Sequence, residues 1–181
     1  MAKSDEEATC DAIISLFNAV HNAFEKPDLL PALLMLYVSI DVIASLTRPV
    51  GQMDTSGEIF MGWVDEFMLA GQNLPCNSKD IWAARCGFLH TMSVESKLSR
   101  HGHARHLEYV DRRELVPQIQ ATLDRRDAGH VVVSLPAFVE AFLGGAKRFI
   151  ERLPRDADLR TRVFHHSRKL VQQAEFPYPK S

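Results

Sequence analysis

Leu29–Leu46, read as LLPALLMLYVSIDVIASL, decides the fold. The segment is apolar nearly all round, and a helix without a polar face belongs in the middle of a bundle. Asp28 stands where an N-cap is needed, and Pro31 is tolerated in the first turn. Pro31, Ser39 and Asp41 interrupt the run, which falls short of the roughly 20 clean residues that a membrane span requires. A buried core helix, with no membrane partner, is the expectation. Asp41 is isolated among apolar neighbours, and a buried carboxylate has to be paired or neutralised.

The flanking sequence is helical on both sides. Upstream, Ser4 followed by Asp5, Glu6 and Glu7 starts a helix carrying Ile13, Leu16, Phe17, Val20 and Phe24, stopped at Lys26-Pro27. Downstream, residues 48–51 break the chain. Ser56 and Glu58 then open a third helix with Phe60, Trp63, Val64, Phe67 and Met68. Ser78-Lys79-Asp80 opens a fourth. Residues 93–106 are polar and basic without a helical stripe. Short strands are expected at 106–110 and 130–134, paired, with a short helix near 113–124 between them. Ser134 and Pro136 start a long helix through Phe138, Val139, Phe142, Phe149 and Ile150, which Pro154 ends. Within it, Gly144-Gly145 costs about 1 kcal/mol per glycine against alanine. The pair reads as a place of close helix approach, at a subunit interface or inside the bundle. A last helix is expected over 156–173, before a loose tail at Phe176. The chain therefore reads as a single, mainly α domain over 1–181: a bundle of about five to six helices with a small two-stranded β insertion. Residues 92–134 form that loop and β-hairpin insertion.

The bulk numbers exclude several classes. A chain of 181 residues buries roughly 70% of its unfolded surface and needs no metal or disulfide staple. Its three cysteines lack the close spacing of a zinc or disulfide framework, which fits a reducing, cytoplasmic setting. The acidic, polar start lacks a secretory signal. No cofactor is expected. A net charge of −2 does not advertise nucleic acid, so local charge must carry that argument. The basic tract is 97–113, where Lys97, Arg100 and Arg105 are the candidates for holding an RNA backbone. Its single aromatic residue, Tyr109, gives no base-stacking platform, and a solvated loop is the plainer reading. His101, His103 and His106 match no zinc signature and read as solvent-exposed. Ser93, Ser96 and Ser99 suit turn and capping roles. His165-His166 reads as a basic solvent face.

The remaining chemistry sits in the fourth helix, Ile81-Trp82-Ala83-Ala84-Arg85-Cys86-Gly87-Phe88-Leu89-His90. Arginine carries a permanent planar charge matched to phosphate, and histidine moves protons at neutral pH. Five positions separate Arg85 from His90, about 140° around an ideal helix, so the two are not expected side by side on one face. A shared site needs the helix to end, a second element, or the same helix of a second copy. Cys86 lies four before His90 and does share its face. The plain alternative pairs Arg85 with Asp41 and leaves His90 at the helix C-terminus, where a cation is favoured.

This arrangement resembles the HEPN superfamily, small helical bundles that are commonly dimeric and often metal-independent ribonucleases. The family motif is Arg, a polar residue, a short spacer and His; Arg85 and His90 match its ends. The resemblance covers residues 5–91 and the last two helices. It implies a homodimer with Arg85 and His90 as catalytic residues, cleaving RNA by internal transesterification to a 2′,3′-cyclic phosphate. A toxin or defence role, with a cognate inhibitor protein, is the biological context it implies. Cys86 departs from the family pattern, because a thiol is a poor substitute for a polar hydrogen-bonding group. The rival expectation is a non-catalytic helical dimer that binds a partner or nucleotide, with Cys86 marking the loss. A third is a structural dimer built on the Arg85–Asp41 pair.

Overall fold

The computed structural model describes residues 5–26, 28–91, 95–126, 129–168 and 170. Helices α1 (Asp5–Phe24), α2 (Leu29–Ser45), α3 (Gly57–Trp63) and α4 (Ser78–Thr91) come first. Then follow α5 (Lys97–Arg100), β1 (His106–Val110), α6 (Val116–Leu123), β2 (His130–Ser134), α7 (Leu135–Arg152) and α8 (Ala157–Ser167). No described helix is long and apolar enough to cross a membrane.

The apolar helix does lie at the centre: α2 packs on α1, α3, α4 and α7. Leu36, Tyr37, Ile40 and Ile43 are fully buried on it, each of the large apolar ones contributing roughly 1.5–3 kcal/mol. The caps follow the sequence. Asp28 accepts from Leu30 N at 3.2 Å, Ser134 from Ala137 N at 3.5 Å and Asp156 from Leu159 N at 3.0 Å.

Several expectations need correction. The strands do not form a hairpin. They pair in parallel, His106 opposite His130 through Val110 opposite Ser134, because α6 carries the chain back across before β2 begins. Residues 97–100 form a helical turn with no apolar stripe, held by a reciprocal capping box between Ser96 and Ser99. Ser93 lies outside the described residues. The cap of α4 is Asn77, whose side chain accepts from Asp80 N at 3.0 Å while Asp80 accepts from Asn77 N at 3.2 Å. Ser78 instead donates to Asp65 at 2.9 Å. The last helix stops at Ser167, with Arg168 as C-cap, short of the expected 173; residues 171–173 and the Phe176 tail lie outside the described residues.

The third helix also changes character. Its α-helical part ends at Trp63 and continues as a π turn, Val64–Met68. The reason lies across the core on α7. A Cβ on Gly145 would sit 2.9 Å from Met68 Cα, so glycine lets the two backbones touch. Arg148, one turn on, donates through Nε and Nη2 to the Phe67 carbonyl at 2.9 and 2.6 Å. The Gly144-Gly145 signal was thus a close approach inside one chain.

Candidate functional site

The N-terminal end of α4 is clamped. Asp80, 2% exposed, takes the Arg105 backbone N–H at 2.8 Å and its guanidinium at 2.6 and 3.1 Å. Arg105 also reaches the Pro75 carbonyl at 3.0 Å. Its charge therefore ties the start of α4 to the approach into β1. Both guanidinium donors converge on Oδ2 while the backbone N–H donates to Oδ1, so the charge-assisted bonds fix geometry as well as charge.

About one and a half turns further along, Arg85 lies between two helices. Its Nη2 is bonded to Asp41 of α2, with side chains 16% and 26% exposed. The guanidinium carbon stands 5.1 Å from the centroid of Trp82, a cation–π contact one turn back along the helix. Burial opposes the Arg85 charge, but the Asp41 bond and field outweigh it and raise the guanidinium pKa. The Nε has no partner among the described residues.

Nη1 of Arg85 points at His90 Nε2, 3.5 Å away. Of the routes the sequence left open, this is the first: α4 ends at Thr91, beside His90. The long, flexible arginine stem reaches back across the 140° between their Cα positions, and His90, in the last turn, turns to meet it. A guanidinium can only donate, so Nε2 is the acceptor and the ring proton lies on Nδ1. His90 itself is exposed.

Cys86 lies against the same guanidinium. Burial pushes its thiol pKa up, more than the lowering by Arg85 offsets, so it stays protonated at neutral pH. It is a weak donor and no nucleophile.

The other predicted residues are elsewhere. Lys97 and Arg100 are exposed on α5. Arg100 borders a polar basin with His103, Arg105, His106, Asp80 and Glu95, whose walls include neither Arg85 nor His90. The structure thus brings Arg85, Cys86, His90 and Asp41 together, commits Arg105 to Asp80, and leaves Lys97 and Arg100 exposed on α5. His106 stacks on His130 across the parallel pair, ring centroids 4.9 Å apart. Among the described residues no three histidine, cysteine or carboxylate side chains converge to hold a metal.

Sequence reasoning missed two features. Trp82 precedes Arg85 at helical i, i+3 spacing, the local signal for this cation–π partner. The bond between the Tyr37 and Tyr109 hydroxyls joins residues 72 positions apart, and no local pattern announces it. One further reading is overturned. His166 is buried, 3% exposed, and wedged against the 46–56 loop. Its Nδ1 accepts from Arg48 at 3.2 Å, and its Nε2–H faces the carbonyls of Arg48 and Pro49 at 3.2 and 3.3 Å.

No family model, curated protein or solved structure matches this chain.

Proposed function

We propose that this is a HEPN-like helical protein that cleaves RNA through Arg85 and His90, without a metal, in a homodimer. The carrying observation is the guanidinium within 3.5 Å of an exposed imidazole at the end of α4. Its supports are the Asp41 and Trp82 contacts, which hold the arginine in one place. Such fixed placement is what electrostatic catalysis needs.

In this reading Arg85 Nη1 exchanges His90 Nε2 for a non-bridging phosphate oxygen when RNA binds, and the freed Nε2 lone pair takes the proton of a ribose 2′-hydroxyl as its oxygen attacks phosphorus. The P–O5′ bond breaks, leaving a 2′,3′-cyclic phosphate and a 5′-hydroxyl. Arg85 faces the charge gathering on the non-bridging oxygens. A second copy of α4 across a dimer groove supplies the acid that protonates the leaving oxygen. The exposed cations of α5 would hold flanking backbone, in a cytoplasmic toxin or defence protein.

The test is cleavage of a mixed RNA pool in EDTA by wild type, His90→Ala and Arg85→Ala, with end-group analysis and light scattering. Cyclic-phosphate ends from a wild-type dimer, falling at least about 100-fold in His90→Ala, are the expected outcome. Intact RNA with well-folded wild type, or equal cleavage by His90→Ala, overturns the assignment.

A second reading is favoured by one specific observation. Asp41 already neutralises Arg85, and the neighbouring position is a neutral thiol rather than a strong hydrogen-bonding group. A non-catalytic HEPN-like dimer that binds a partner or nucleotide would tolerate both. It predicts folded dimer, no cleavage, and stability loss in Arg85→Ala.

A further inference from the structure

A cavity of about 360 Å³ opens between the start of α2, the α4 face of Ala84 and Phe88, and β1. Leu33, Leu107 and Tyr37 are buried in its walls, while Leu29 and Leu30, 40% and 50% exposed, stand at the α2 end. An apolar cavity of 150 Å³ suffices for one benzene ring, so this one accommodates roughly two. The volume also falls in the lower part of the range of small-molecule sites.

One polar element in this lining has an unspent proton. Tyr37 and Tyr109 both border the cavity, and their hydroxyls bond to each other. Two phenols bring two O–H donors, and a single bond between them uses one. The second proton has no acceptor among the described residues, although Tyr37 is fully buried. Burial raises the pKa of both hydroxyls, so both protons are present at neutral pH. A half-buried donor without a protein partner, in a largely apolar lining, is matched by an acceptor that enters the cavity.

Charge narrows the ligand further. Asp28 and Glu108 are the ionisable side chains in the lining apart from the tyrosines, and no cation is among the described residues there. Asp28 is already committed to Leu30 N, and Glu108 lies 3.1 Å from His130 Nδ1. An anion would meet two carboxylates and no compensating charge.

We propose that this cavity binds a small uncharged, mainly apolar molecule of about two-ring size, carrying one hydrogen-bond acceptor that takes the free proton of the Tyr37–Tyr109 pair. The inference is independent of the ribonuclease reading, since it uses neither Arg85 nor His90.

Three probes of one shape separate its parts: benzophenone with a carbonyl acceptor, diphenylmethane without one, and 4-benzoylbenzoate with an added anion. Each is titrated into ¹⁵N-labelled full-length protein. Benzophenone is expected to shift the amides of Leu30, Phe88 and Tyr109 saturably, and to bind at least about twofold and up to about tenfold tighter than diphenylmethane. The benzoate is expected to bind more weakly than either. Tyr37→Phe and Tyr109→Phe each leave one free hydroxyl and should retain the ketone preference. Tyr37→Phe/Tyr109→Phe removes both partners together, a change that buried sites tolerate, and should erase the preference while diphenylmethane still binds. Ala84→Leu, which narrows the cavity, should weaken both neutral probes. No saturable shift with folded wild type overturns the site. Equal binding of ketone and hydrocarbon, or a preference that survives in the double variant, overturns the role of the tyrosine pair.

Discussion

The two ends of this molecule solve packing in opposite ways. Around the α3–α7 contact, Trp63, Phe67, Phe142 and Phe149 interlock at centroid distances of 5.2 to 6.4 Å, in tilted and edge-on arrangements. Phe142 and Phe149 are fully buried, and the distorted backbone opposite them is met by Gly145 and Arg148. At the α2–α4–β1 face, the same kind of helices enclose polar groups: Asp41 with Arg85, a tyrosine pair, and a histidine at the rim. Both regions leave hydrogen-bonding capacity unused, in Trp63 Nε1 of the aromatic cluster and in Arg85 Nε and one tyrosine proton of the other face. The first region is a closely packed aromatic core. The second sets paired polar groups beside a cavity and an exposed histidine.

The sharpest way to break that contrast is Phe142→Ala. A large cavity in the interlocked cluster should cost about 3–5 kcal/mol, lowering Tm by roughly 10 °C in calorimetry. A loss under about 1 kcal/mol would mean that the aromatic core collapses readily and is no more closely packed than the other face.

Asp41→Ala probes the polar side and should cost less, about 1–3 kcal/mol in urea unfolding, because both partners keep some solvent access. It also frees Arg85 to leave His90. If the ribonuclease reading holds, cleavage should fall by more than the folded fraction does. Unchanged activity would show that the pair is scaffold alone.

The smallest effect concerns pH. Burial, then the Arg48 charge, lowers the His166 pKa below its ordinary 6.5. The unfolded chain therefore binds this proton more readily than the folded one. The stability of the neutral clasp is fully present above about pH 6.5 and is lost as pH falls through the depressed folded value. Unfolding curves from pH 7.5 downward should show this slope, flattened in His166→Gln. Equal slopes in both proteins would assign acid sensitivity to other groups.

Much of the architecture was legible because its signals are local. The all-round apolar pattern of 29–46 can be satisfied only by burial, so the sequence placed α2 in the bundle centre. Asp28, Ser56 and Ser134 cap where the sequence places them, and both strands begin and end at the expected residues. What local pattern could not specify was anything that depends on a distant backbone. The strand pairing turned parallel because of the path of α6, and α3 widened into a π turn because Gly145 brings α7 against it.

The candidate site divides along the same line. The sequence by itself supplied the arginine, the histidine and even Asp41 as partner, since an isolated acid in an apolar helix demands a cation. Tertiary structure decided which cations were committed: Arg105 went to Asp80, while Lys97 and Arg100 stayed exposed on α5. It also decided that Arg85 reaches His90 and that Tyr37 meets Tyr109. Residue type and helical period are written in the chain at short range. Which long side chain spends its hydrogen bonds where is settled only when distant segments share one interior.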